Sequence, residues 1–168
     1  MGKSMRADTH RKSVVRHSLG EETSLKQMLA SFGDLRFAVV ATSDEGRPYA
    51  SLIAFALTPD LTTIVFATRK ATRKYRNMMH QRSVSVLIDN RSQAPENLSR
   101  AQAVTLVGTA TPVRAGSRRA EYAKLLSDRH PQLAGFIDEP DTALVAVVIE
   151  EAIHVTQFQN VATWKRED

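Results

Sequence analysis

The sequence predicts a mainly β protein with inserted helices (α+β), built as an antiparallel barrel. Three observations lead there. About six or seven apolar segments have strand length, several are joined by tight-turn chemistry, and helical periodicity occurs only in isolated stretches between them. A doubly wound parallel sheet would instead alternate strand and helix throughout. Neither GxGxxG nor GxxxxGK[ST] occurs, so no phosphate site of the dinucleotide-fold or P-loop kind is expected.

Taken in order, residues 1–20 are polar and basic without a sustained period, and are expected to form a flexible arm. From Thr23 or Ser24 a short helix is predicted, with Leu25, Met28, Leu29 and Phe32 on one face and Gly33 as its stop. Residues 35–42 and 47–57 read as strands around the turn Ser43-Asp44-Glu45-Gly46, together a hairpin. Thr58-Pro59-Asp60 makes the next turn, residues 63–68 a strand, residues 71–80 a basic amphipathic helix, and residues 83–88 another strand. Residues 90–99 read as an exposed polar loop. A strand over 103–113 contains Gly108, which suggests a bulge or a close backbone approach. Residues 118–127 form a helix on Tyr122, Leu125 and Leu126, ended by His130-Pro131. The last long strand, 142–149, is almost wholly apolar and continues over 152–158.

Composition narrows the function. With 168 residues, 42% hydrophobic and 24% charged, the chain suits one globular domain over 21–168 behind the arm. It has no cysteine, which excludes disulfides, thiol nucleophiles and Cys-ligated zinc or iron–sulfur sites. No apolar run approaches a membrane span and no secretory signal is evident, so a cytoplasmic protein is expected. The net charge of +5 invites a nucleic-acid reading, but +4 of it lies in residues 1–20. No aromatic residue is interleaved there for base stacking, so nucleic acid is not the expected partner.

What stands out in the body is the basic cluster Arg69, Lys70, Arg73, Lys74, Arg76 and Arg82 beside Thr68 and Thr72, where a strand gives way to a helix. Unpaired N–H groups and the macrodipole of a first helical turn favour an anion, and hydroxyls and cations add to both. The residues therefore suggest a phosphate-bearing small molecule, with a solvated basic helix face as the alternative.

The order of motifs resembles the pyridoxamine 5′-phosphate oxidase-like FMN-binding split barrels over roughly residues 24–164. The resemblance rests on FAVVATSDEGRPYASLIAFAL, FATRKATRKYRNMMHQRSVSVLID, AVTLVGTATPV and the late segment EYAKLLSDRHPQLAGFIDEPDTALVAVVIEEAIHVTQFQNVATW. Its last segment looks most like the subgroup related to haem-utilisation proteins. The resemblance implies a homodimer with FMN at the subunit interface. It implies Ser51, Leu52 and Ile53 along the flavin, Ala67 and Thr68 at the strand end beside it, and Thr72, Arg73 and Lys74 on the phosphate. Trp164 is the candidate for a ring contact supplied by the partner subunit. Ala103, with Gln102 adjacent, stands where the true oxidases tend to carry a flavin-contacting glutamine. QNVATWKRED has no counterpart of their substrate-phosphate residues, so pyridoxamine phosphate is not the expected substrate.

Each candidate has a plainer reading. Thr72, Arg73 and Lys74 could form surface salt bridges, Trp164 could anchor the core, and Ser51 could make a local strand hydrogen bond. His10, His17, His80, His130 and His154 show no metal-ligand spacing, so no metal is expected. His154, on the last strand, is a candidate haem ligand or general acid, or a satisfied strand histidine. No residue stands out as a catalytic nucleophile or base. The expectation is an FMN-dependent oxidoreductase of undetermined small-molecule substrate, in which the flavin carries the chemistry. The alternatives are a haem-binding or haem-degrading protein on the same barrel, a module whose arm binds nucleic acid, and a deazaflavin in place of FMN.

Overall fold

Alternating apolar residues make each strand amphipathic, and the strands bury that side by closing on themselves. The computed structural model describes residues 16–18, 21–93, 96–157 and 160–167. The chain runs β1 (Arg16–Ser18), α1 (Glu21–Ala30), β2 (Phe37–Asp44), β3 (Arg47–Leu57), β4 (Thr63–Arg69), α2 (Arg73–His80), β5 (Ser83–Asp89), β6 (Gln102–Pro112), α3 (Ser117–Arg129), α4 (Ala134–Asp138), β7 (Thr142–Thr156) and β8 (Asn160–Lys165). Six strands form a closed barrel in the order β7-β4-β3-β2-β5-β6 and back to β7, with every neighbour antiparallel. The expected mainly β, antiparallel barrel with single inserted helices is therefore the observed fold.

The barrel interior holds Val40, Phe55, Ile64, Phe66, Val86, Leu106 and Val147, and α1 closes it with Leu25, Met28, Leu29 and Phe32. A second cluster lies outside the wall, where Ala56, Val65 and Leu144 meet Leu126 of α3 and Ile137 of α4. Covering by helices on one face and core on the other explains why β4 and β7 lack the clean polar alternation of β5.

β7 is one continuous strand. Its first part pairs with β4 and its last part with β8, while β6 follows it from Val145 to Thr156. The register shifts by one residue where Gly108 meets Ile149 and Val107 meets Glu151, so the extra residue is Glu150. Gly108 is the close approach that the sequence suggests: a Cβ there would stand 2.1 Å from the Val148 carbonyl oxygen.

Some elements differ from expectation. The described residues form eight strands where six or seven are expected: β8 follows β7 as a separate strand, and Arg16–Ser18, expected in the flexible arm, pairs parallel to it. The rest of the expected arm, residues 1–15, 19 and 20, lies outside the described residues, as does Phe158. The loop over 90–99 contains 3₁₀ turns at Arg91–Gln93 and Leu98–Arg100, and α4 follows a 3₁₀ turn at Pro131–Leu133. These short pieces carry too few residues to set up a readable period.

Candidate functional site

The barrel wall opens beside α2. β3 pairs with β2 over residues 47–54, but with β4 only over residues 55–57. Beyond Phe55 and Phe66 the two strands part, and Ala67 and Thr68 pair only with β7. Ser51, Leu52 and Ile53 thus lie on one side of a split, and Ala67 and Thr68 on the other. Leu52 presents its backbone to the gap, since its carbonyl accepts a hydrogen bond from Lys74 Nζ at 3.1 Å. In an antiparallel strand the N–H of the same residue points the same way. The Leu52 side chain is 63% exposed, Ile53 is buried in the core, and the Ser51 hydroxyl is buried without a hydrogen-bond partner.

The helix start that closes the split is tightly built. Thr72 is the N-cap of α2: its hydroxyl accepts from the Tyr75 N–H at 3.4 Å, donates to the Arg69 carbonyl at 2.8 Å and lies 3.0 Å from the Thr68 hydroxyl. That hydroxyl is committed to the cap. The basic cluster then divides. Arg69 pairs with Glu139 at 2.6 Å and Asp141 at 2.7 Å, which raise its pKa, and Lys70 donates to the Pro140 carbonyl at 3.0 Å. Arg69 is thus taken up in surface ion pairs.

Arg73 and Lys74 face the other way, toward the hairpin of β2 and β3. Among the described residues neither meets a carboxylate within ion-pair distance. The Arg73 guanidinium lies over the Tyr49 ring, 4.7 Å from its centroid. Lys74 is half-buried, and loss of water around its ammonium lowers its pKa. A desolvated cation that, among the described residues, meets a backbone carbonyl and no carboxylate is poised to take an anion.

Sequence reasoning missed what fixes this corner. Asn77, buried on α2, donates to the Thr42 hydroxyl at 3.1 Å, which donates to the Tyr49 carbonyl at 3.3 Å. This relay ties the helix to the hairpin and sets Tyr49 under Arg73. The available signal was a polar side chain next to Met78 on the inward stripe of an otherwise basic helix. Buried amides need partners.

Trp164 lies elsewhere. It stands on β8 opposite Ala152, half-buried against the main core. Leu144 and Ala143, paired with Ala67 and Thr68, are eight and nine residues back along β7, about 26–30 Å along the strand at ~3.3 Å per residue. Within one subunit the structure does not bring Trp164 to the split. His154 Nε2 sits 3.3 Å from Gln102 Oε1, its ring meets that of Phe32 in a T-shaped contact, and burial lowers its pKa. His130 is fully buried, with Nε2 donating to the Phe55 carbonyl at 2.9 Å. Among the described residues no group of His, Asp and Glu converges as a metal site, and no helix is long and apolar enough to cross a membrane.

A closed antiparallel barrel whose wall parts beside a cation-bearing helix start defines the split-barrel class. Residues 24–156 match the family model described as pyridoxamine 5′-phosphate oxidase, and the chain belongs to that family. No curated protein matches by sequence. Among solved structures, a haem-binding protein from Mycobacterium smegmatis superposes with a TM-score of 0.74 at 19% identity, over 89% of this chain and 60% of that one. HutZ, a haem storage protein from Vibrio cholerae, superposes with a TM-score of 0.65 at 20% identity, over 75% of this chain and 90% of that one. General Stress Protein 26 from Bacillus anthracis gives a TM-score of 0.59 at 14% identity, over 78% and 93%. At these identities the likeness is one of fold. The chain spans 60% of the length of the Mycobacterium smegmatis protein.

Proposed function

We propose that residues 21–168 form one split-barrel domain of a cytoplasmic homodimeric flavoprotein, which binds FMN at the subunit interface and oxidises or reduces a small-molecule substrate. The observation that supports this reading is the split itself: the Leu52 backbone faces it, Lys74 reaches that backbone, and Arg73 beside Lys74 meets no carboxylate among the described residues, while the Ser51 hydroxyl on the adjoining strand position is buried without a partner. That donor set suits an aromatic ring system bearing amides and a phosphate tail.

In this reading Lys74 exchanges the Leu52 carbonyl for phosphate oxygens, and Arg73, oriented by Tyr49, supplies a planar pair of donors. Thr72 contributes by capping the helix, which keeps its first-turn N–H groups directed at the anion. Leu52 offers an N–H and a carbonyl to an amide edge, and Ser51 gains the partner it lacks. Ile53 fixes the strand from within the core, while Ala67 and Thr68 bound the far side with small side chains. Bound FMN would supply the redox chemistry, its ring accepting electrons from a donor and passing them to an acceptor.

The dimer is supported by the outer face of the barrel. Leu52, Val39 and Leu87 stand side by side across β3, β2 and β5, with Phe37, itself 54% exposed, at the next outward position. An apolar row of this kind on an antiparallel sheet suits burial against a second copy. Trp164 of the second copy is the candidate cover for the ring.

The test is the absorption spectrum of the purified protein, with the released chromophore identified by mass. Flavin absorption and FMN support the reading. A Soret band on adding haemin, without flavin, would replace it by the haem-binding alternative that two similar structures carry in their names.

A further inference from the structure

A second cleft, of 630 Å³, lies where α1, the end of β3 and α3 meet, and it shares no residue with the split. Its volume falls in the range of small-molecule sites, roughly 300–1,000 Å³. The floor is apolar, with Leu29, Phe32, Phe55, Leu57 and Leu125 among its residues, and the rim carries Lys26, Arg36 and Arg129.

Among the described residues, Asp128 is the acidic side chain that lines this rim. Among the described residues none of these three cations meets a carboxylate within ion-pair distance, whereas Asp128, on the same rim, is taken by Lys124 at 2.6 Å. Arg129 is partly buried, donates from one terminal nitrogen to the Gly33 and Leu35 carbonyls, and has its Nε buried without a partner. Burial and the neighbouring Arg36 both lower its pKa, and Asp34 opposes them less strongly. Arg36 in turn donates to the Arg129 carbonyl at 2.7 Å, which holds the two guanidinium groups on one side of the cleft. A desolvated cation beside a second one is stabilised by an incoming anion.

We infer that this cleft binds a monocarboxylate with an apolar tail, of the medium-chain fatty acid kind, its carboxylate on Arg36, Arg129 and Lys26 and its tail over Leu57, Leu61 and Leu125. The inference stands apart from the flavin reading, since neither residues nor ligand are shared.

Calorimetric titration of the full chain with decanoate, decanol and acetate tests it. Decanoate should bind, with decanol and acetate each at least about tenfold weaker, because charge-assisted hydrogen bonds and tail burial both contribute. The Lys26→Met, Arg36→Met double variant changes two exposed residues. It should lose about tenfold for decanoate and leave decanol unchanged. Equal affinity for decanoate and decanol in the wild-type chain overturns the inference without recourse to any variant. Undiminished decanoate binding in the double variant, with its melting temperature kept, overturns the placement on these cations.

Discussion

Gly108→Ala perturbs the closure of the barrel at its tightest point. The added Cβ would meet the Val148 carbonyl oxygen at 2.1 Å, its carbon at 2.9 Å and Val147 Cγ1 at 3.2 Å. Close carbon–oxygen approaches in sheets lie near ~3.3 Å, so the Val148 carbonyl must retreat by about 1.2 Å. A neighbouring ladder bond of ~2.9 Å would lengthen past 4 Å and be lost. Two such losses at about 1 kcal/mol each, with about 1–2 kcal/mol of overpacking, give a destabilisation of about 3–4 kcal/mol. For a chain of this size that corresponds to a drop of about 10 °C in melting temperature. Thermal melts followed by circular dichroism measure it. Gly135→Ala is the control, because a Cβ there meets nothing within 4 Å and the residue lies in α4. It should be neutral or slightly stabilising. A Gly108→Ala protein melting within about 2 °C of wild type would refute the claim that backbone contact dictates glycine here.

Three further outcomes are expected. Ser51→Ala removes a buried hydroxyl without a partner, so the ligand-free protein should gain about 1 kcal/mol in denaturant unfolding while FMN affinity falls; unchanged affinity would take Ser51 out of the site. Asn77→Leu cuts the relay to Thr42 and should cost about 1–2 kcal/mol, with tryptic cleavage at Arg73 and Lys74 accelerated as α2 loosens; wild-type cleavage rates would mean the relay does not hold the helix. His154 has its pKa lowered from 6.5 by burial, so below 6.5 the unfolded chain binds the extra proton more readily. Stability contributed by this group therefore falls as pH drops below 6.5 and is constant above it. His154→Gln should flatten that part of a melting-temperature profile, and an unaltered slope would assign it to another group.

Local chemistry made most of the barrel legible. The Gly46 turn has positive φ, Thr58 and Thr62 clasp the Asp60 carboxylate to form the turn before β4, and Thr72 caps α2. Each of these is decided within a few residues. Gly108 could be suspected from a glycine inside a strand pattern, but the bulge at Glu150 depends on β6 and β7 meeting in space. β8 was invisible because Asn160 to Lys165 owes its strand to pairing with the end of β7, not to its own alternation.

The site divides along the same line. Cations at a helix start are a local signal, and the structure keeps Arg73 and Lys74 there. Their separation from Arg69 and Lys70 is not local, because it depends on Glu139 and Asp141 reaching the strand end from the far side of α4. The parting of β3 from β4, which exposes the Leu52 backbone, is a property of sheet register that no residue in either strand announces. The same holds for Tyr49 beneath Arg73.

Titration of the ligand-free protein with FMN, followed by quenching of flavin fluorescence, for wild type and for the Arg73→Ala, Lys74→Ala double variant, reaches the heart of the account. Two charge-assisted contacts at roughly 1.5–3 kcal/mol each predict saturable one-to-one binding per subunit, weakened about a hundredfold or more in the variant. FMN binding of equal strength in both proteins, or none in either, would contradict the assignment of a phosphate to the start of α2.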